Sequence, residues 1–323
     1  HDRVTGGGGD DLICLGRGSD KAQAGRGRDR VRGAQGGDEV RGGDGNDLLD
    51  GGDHDDQLHG NAGNDRLLLG AAARGFAFAF GGLGRDVVTA TAESKAYLYG
   101  NKGDDRLHGV DVFHLLDGGA GNDRIEGGIA SFETSRVGVA VDLVDGEASG
   151  AGDDVLVDVV GASGSLYDDT VAGGPEDDWI SGRDGDDILS GGDGLDDVFG
   201  GAGADRIAGD AGDDHLWEAD DDCALRPCEM DESADQYDGG GGTDRLLYAG
   251  YRNGVTADLG EGSGPAGDRV SGIEGLVGSS YDDLLSGNDG DNFIDGGPGS
   301  DTLDGRGGTD TCRNGESQVA CEG

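Results

Sequence analysis

The sequence predicts an all-β solenoid of stacked short units, and three observations carry that prediction. An aspartate recurs at every ninth residue, first at Asp11, Asp20, Asp29, Asp38, Asp47, Asp56 and Asp65. Each lies in a glycine-rich turn, and each is followed two places later by an apolar residue. A fixed short period of this kind marks a repeat whose units cannot bury their apolar residues alone and do so by stacking.

The unit reads G-G-x-G-x-D-x-U-x with U a large aliphatic, as in GGDGNDLLD (42–50), GGAGNDRIE (118–126) and GGPGSDTLD (296–304). The GGxGxD core occurs eight times and the relaxed GxxGxD fourteen times. The phase returns at Asp169, Asp178, Asp187, Asp196, Asp205 and Asp214, then at Asp283, Asn292, Asp301 and Asp310, with further copies around Asp86, Asp105, Asp123 and Asp244. Position eight supplies the core: Ile13, Val31, Val40, Leu49, Leu58 and Leu67, then Ile180, Leu189, Val198, Ile207 and Leu216. Composition alone would favour a disordered acidic linker. The strict phase of aliphatic with aspartate argues against it.

The turn chemistry points to a ligand. Glycine at positions one, two and four lets the backbone aim its carbonyls at one point, and the position-six carboxylate adds an anionic oxygen. Carbonyl plus carboxylate suits calcium, which takes six to eight oxygens in flexible geometry, whereas magnesium demands a tighter octahedron. The turns offer neither thiolate nor imidazole for softer metals. The candidate metal ligands are Asp11, Asp20, Asp29, Asp38, Asp47, Asp56, Asp65, Asp86, Asp105, Asp123, Asp178, Asp187, Asp196, Asp205, Asp214, Asp244, Asp301 and Asp310.

On these motifs the chain resembles the RTX (repeats-in-toxin) family of hemolysin-type calcium-binding repeats. The resemblance implies that the first six residues of each unit form a calcium-binding turn and the last three a short parallel strand. Two units then make one coil of a right-handed parallel β-roll. It also implies that each Ca2+ lies between a turn and the turn stacked a coil away, so that Asp11 shares a site with the loop around Asp29, and Asp178 with that around Asp196. The arginine bias and the ending GGTDTCRNGESQVACE resemble secreted actinobacterial members.

Composition fits a calcium-dependent fold. The formal charge is −44 and only 33% of residues are hydrophobic. About 14 bound calcium ions would add about 28 charges and leave about −16, ordinary for a soluble surface. At tenfold saturation each site contributes about 1.4 kcal/mol, so folding is expected to depend on calcium. Such a charge excludes nucleic acid as a natural partner.

Cysteine spacing points to an oxidising compartment. Cys223 with Cys228, and Cys312 with Cys321, suit short disulfide loops, the second pinning the tail as a cap. Cys14 is left over, and HDRVT fits positions five to nine of a unit, so residues upstream of His1 are expected. No stretch approaches the roughly 20 apolar residues of a membrane helix.

The period breaks in several places. GFAFAF sets Phe76, Phe78 and Phe80 on one face of a strand and is read as a packed, metal-free rung near 69–80; ATAESKAYLY gives another near 90–99. His114 replaces an in-phase aspartate, which weakens or empties that site. Residues 138–173 and 254–287 resemble one another, each ending in GSxYDD, and Tyr167 and Tyr281 at position four put metal binding at Asp169 and Asp283 in doubt. Residues 218–238 read as an acidic surface loop. The organisation expected is one continuous solenoid of three arrays, 1–130, 131–238 and 239–323.

No HExxH and no GxSxG occurs, nearly all carboxylates are in phase with the repeat, and none of the six histidines keeps catalytic company. The sequence is therefore read as a non-enzymatic, secreted, monomeric calcium-binding protein with a structural, accessory or adhesion role. The alternative is the calcium-binding part of a secreted enzyme whose catalytic domain lies upstream. A polysaccharide or cell-surface partner would call for an exposed aromatic row, which a chain with 5% aromatics hardly supplies.

Overall fold

The computed structural model describes residues 1–70, 75–91, 95–110, 114–218 and 233–321. Within them the fold is all-β: thirty-five strands, with a single 3-10 turn at Pro265–Gly267. The strands form two compact units, 1–136 with 145–162, and 137–144 with 163–323.

In the first unit, successive strands go alternately to two parallel sheets, as a coil of two nonapeptides requires. One sheet runs Arg3–Gly8, Lys21–Arg26, Glu39–Asp44, Gln57–Ala62, Phe76–Leu83, Lys95–Lys102, His114–Ala120. The other runs Leu12–Arg17, Arg30–Gln35, Leu48–Asp53, Arg66–Leu69, Val87–Ala90, Arg106–His108, Arg124–Glu126 and Asp153–Val157. The register advances by one coil, pairing Leu12 with Arg30 and Arg30 with Leu48. The second unit repeats this plan, for example Trp179–Asp184 beside Asp197–Ala202 and Ile188–Asp193 beside Arg206–Ala211. It adds a parallel sheet of Thr256–Asp258, Leu284–Ser286, Thr302–Asp304 and Ser317–Val319.

Position eight faces inward throughout. Val40, Leu49, Leu58, Leu67, Leu98, Leu116, Ile180, Val198 and Leu216 are fully buried. Each such aliphatic contributes roughly 1.5–3 kcal/mol by leaving water, and alternation along a strand sends positions seven and nine outward. Cys312, also at position eight, is buried and bonded to Cys321. The Cys223 and Cys228 pair lies outside the described residues.

The GFAFAF rung differs from a rung packed inside. Ala77 and Ala79 point inward and the phenyl rings outward, because position eight is Ala79 in this strand. The rings still pack, but along the outer face. His59, Phe80 and Tyr99 stack at 4.9 and 5.0 Å, and Phe78 stacks on Tyr97 at 5.2 Å. A second row joins Trp179, Phe199 and Trp217 at 5.5 and 5.3 Å. Parallel strands about 4.8 Å apart place equivalent outward positions at ring-stacking distance. So few aromatics suffice because the coil register gathers them into rows.

Candidate metal centre

Stacking the nonapeptides brings the position-six aspartates into columns. In the first unit one column runs Asp11, Asp29, Asp47, Asp65, Asp86, Asp105, Asp123 and ends on Asp154. The other joins Asp20, Asp38 and Asp56. Beyond Asp56 the strand register puts Ala77, Ala96 and His114 in the same column, so the carboxylate is lost there. His114 is buried, and its Nδ1 accepts the Val110 N–H at 3.1 Å. In the second unit Asp178, Asp196, Asp214 and Asp244 form one column and Asp169, Asp187, Asp205, Asp235 and Asp268 another. Asp283 and Asp301 stack in a third, and Asn292 on Asp310 extends the first.

Each column is built by one repeated bond. The Asp86 N–H donates to Asp105 Oδ1 at 2.7 Å, and the Asp105 N–H donates to Asp123 Oδ1 at 2.7 Å. Position five stitches the coils in the opposite direction: Asn64 N–H donates to Asn46 Oδ1 at 2.9 Å, and Ala204 N–H to Asp186 Oδ1 at 3.0 Å. This second ladder explains why position five is so often Asp or Asn, a bias visible in the sequence but absent from the metal-ligand reading. Where insertions change the spacing, glutamates serve instead. Glu274 accepts the Asp244 N–H at 3.0 Å and Glu316 the Asp301 N–H at 2.6 Å.

With Oδ1 engaged at each of the following aspartates except Asp11, the other oxygen decides what the site can do. At Asp11, Asp20, Asp29, Asp38, Asp47, Asp56, Asp65, Asp86, Asp105, Asp123, Asp187, Asp196, Asp214, Asp244, Asp301 and Asp310, Oδ2 is buried and takes no hydrogen bond. Buried carboxylate oxygens are costly unless hydrogen-bonded or bound to a cation. The space beside them is carbonyl-lined. A Cβ built on Gly100 at position one would lie 2.5 Å from both Asp105 Oδ2 and the Gly118 carbonyl oxygen one coil on. Position-one glycine therefore leaves a cradle where one carboxylate oxygen and a carbonyl of the stacked turn converge, and the donor set is all hard oxygen, as calcium requires. At Asp20 and Asp29 position one is Leu15 and Ala24, so a side chain stands where Gly100 leaves space. At Asp205 the Cβ of Gly200 would meet Ile207 Cδ1 rather than a carbonyl. Among the described residues no three His, Cys, Asp or Glu side chains group at metal-binding spacing.

Four turns are arranged differently. Asp178 Oδ2 accepts the Gly174 N–H at 2.6 Å, so its second oxygen is engaged within its own turn. Asp169 and Asp283 do the same with Ser165 at 2.5 Å and Ser279 at 2.8 Å, and Asn292 Oδ1 accepts the Asn288 N–H at 2.8 Å.

The electrostatics follow from stacking acids without countercharge. Burial pushes the carboxyls of Asp56, Asp65, Asp105, Asp187 and Asp196 up to about 7, and those of Asp123 and Asp244 up to about 6. The N–H from the neighbouring coil opposes this, while carboxylates of the same column reinforce it at all of them but Asp123, where Asp104 does so. Desolvation without a cation favours the protonated form.

Where the coil widens, Glu218 and Tyr248 occupy position one in place of glycine. The buried Tyr237 hydroxyl lies 3.1 Å from Glu218 Oε2 and 3.2 Å from Asp235 Oδ2. Burial, then the charges of Asp268 and Asp235, push Glu218 up to about 8. The phase of Asp214 and Leu216 puts Glu218 at position one, but its approach to Tyr237 was hidden, because the acidic loop between them breaks the period.

Comparison with protein families matches the RTX calcium-binding nonapeptide repeat to residues 1–22, 16–49, 32–67, 97–110, 115–130, 163–198, 190–217 and 277–312, more than half of the chain. The unmatched stretches include the aromatic rung, the larger part of each duplicated insert and the acidic loop. Comparison with curated proteins found no match.

Proposed function

Because the chain belongs to the RTX calcium-binding nonapeptide repeat family, we propose that it is a secreted protein that folds on binding several calcium ions and serves as a structural, accessory or adhesion module. The observation that carries this reading is the column of buried Oδ2 atoms, each without a hydrogen bond and each, except at Asp20 and Asp29, beside a position-one glycine. When bound, calcium would supply the positive charge that such a column lacks, with the Oδ2 atoms and the neighbouring carbonyl oxygens as the groups that would hold it. The chain's own part is to hold Oδ1 in the interstrand ladder, which aims Oδ2 into the cradle. The Cys312–Cys321 bond supports an oxidising, extracellular setting. No helix of the described residues is long and apolar enough to cross a membrane.

The outward aromatic rows favour packing over glycan binding. Phe80 has His59 on one face and Tyr99 on the other, and Phe199 lies between Trp179 and Trp217. Neither inner ring keeps a free face for a sugar to stack on. We read the protein as non-enzymatic; the competing reading, a calcium-binding part of a secreted enzyme, differs only in what lies upstream of His1.

Far-UV circular dichroism and hydrodynamic radius, followed from chelator to 10 mM calcium with magnesium as control, test the proposal. A calcium-specific collapse to β structure with several ions bound per chain is expected. No change, or an equal response to magnesium, overturns it.

A further inference from the structure

The turns fall into two conformational classes, and position four separates them. In the turns with an open Oδ2, position four has positive φ, as at Gly45 (132°), Gly103 (131°), Gly185 (134°) and Gly194 (139°). Even His54, in the Asp56 turn, adopts 88°. In the turns of Asp169, Asp178, Asp283 and Asn292, position four is Tyr167, Glu176, Tyr281 and Gly290, and none of these has positive φ. A tyrosine or glutamate resists that region because of its Cβ. Gly290 would tolerate it but is held by its neighbour: its N–H donates to Asn288 Oδ1 at 2.8 Å. The same brace operates at Tyr167 and Tyr281, whose N–H groups donate to Ser165 Oγ and Ser279 Oγ, both at 3.1 Å.

Position two is reoriented in all four turns, including that of Asp178, where it is Gly174 and carries no brace. Its N–H, instead of pointing along the coil, reaches the position-six side chain of the same turn. At Asp169 the closure is double, since Ser165 Oγ also donates to Oδ1 at 2.9 Å; Ser279 does the same to Asp283 at 2.8 Å. The oxygen that elsewhere faces an open cradle is here satisfied by a donor, and a donor aimed at an oxygen repels a cation approaching it.

We propose that the conformation of position four, held out of positive φ by the side chains of Tyr167, Glu176 and Tyr281 and by the braces from Ser165, Ser279 and Asn288, determines which turns refuse calcium, so that the turns of Asp169, Asp178, Asp283 and Asn292 bind none. The inference rests on calcium occupying the open turns. It has a spatial consequence: Asp169 with Asp178, and Asp283 with Asn292, are consecutive half-coils. Each pair therefore closes one whole coil without metal, at the head of the run that continues to Asp187 and Asp196, and of the run that continues to Asp301 and Asp310.

Equilibrium dialysis against calcium alone, counting ions per full-length chain at saturation, tests this with the wild type and four variants. Asp187→Asn, in an open turn, is expected to bind one ion fewer than the wild type. Asp169→Asn and Asp178→Asn are expected to match the wild type. The double variant Ser165→Gly with Tyr167→Gly removes brace and Cβ together and is expected to bind one ion more. Loss of an ion from Asp169→Asn or Asp178→Asn, with Asp187→Asn behaving as expected, overturns the inference while leaving the calcium reading intact. An unchanged count in Ser165→Gly with Tyr167→Gly, confirmed folded by circular dichroism, also overturns it. A wild type that binds no calcium removes the premise and, with it, the proposal.

Discussion

Protons should partly replace calcium, and the structure sets the pH range in which they do so. The perturbation is acidification of calcium-stripped protein from pH 8 to pH 5. Asp56, Asp65, Asp105, Asp187 and Asp196 are raised to about 7 in the folded chain, against about 3.9 for an unfolded aspartate. Between these values the folded state binds more protons than the unfolded one, so the stability of the metal-free fold falls as pH rises from about 4 to about 7 and is gained on acidification. For one carboxyl, going from pH 7 to pH 5 multiplies the folded-to-unfolded ratio by about fifty. Carboxyls within a column titrate as a coupled set, so a column gains less than the product of its members. The assay is far-UV circular dichroism with hydrodynamic radius at pH 8, 7, 6 and 5 in chelated buffer. Emergence of β signal between pH 7 and pH 5, followed by proton release when calcium is added at pH 5, is the expected result. Compaction without β signal would mean that acid only relieves the charge of −44. Loss of β signal on acidification would reverse the sign and refute the reasoning.

Three substitutions probe separate parts of the fold. Asp187→Ala removes the acceptor of the Asp169 N–H and an open Oδ2, so it should shift calcium-induced folding of its array to higher calcium than Asp193→Ala, which changes an exposed position-three residue; equal midpoints would count against the site assignment. Phe80→Ala breaks two ring stacks and should cost about 1–3 kcal/mol in calcium-saturated urea unfolding, with the number of bound ions unchanged; a drop in ion count would show the row to be part of a site. Cys321→Ala opens the disulfide loop of residues 312–321 and should cost about 2–3 kcal/mol, read as faster amide exchange in Thr302–Asp304 and Thr311–Arg313. Unchanged exchange would show that the tail does not cap those strands.

Much of the fold was legible because the repeat makes local sequence and tertiary position the same information. Asp105 and Leu107 stand two residues apart in every copy, so their roles as column member and core residue follow from phase alone. The same logic gave the breaks in the period that became the strands Phe76–Leu83 and Lys95–Lys102, the Cys312–Cys321 bond and the altered character of the Asp169 and Asp283 turns. It reached neither Glu274 nor Glu316, whose spacing from Asp244 and Asp301 is set by insertions rather than by the period.

By itself, the sequence determined which residues lie inward, which lie in turns and that the turns are made of hard oxygen donors. These depend on nine-residue periodicity and on what glycine and aspartate can do locally. Only the tertiary structure decided the orientation of the aromatic rung, the reciprocal ladder at position five and the engagement of Asp178. Each depends on where one coil sits above the next. A single N–H turned toward Oδ2 distinguishes Asp178 from Asp187, and that direction is fixed by backbone torsions that a nearly identical motif leaves open.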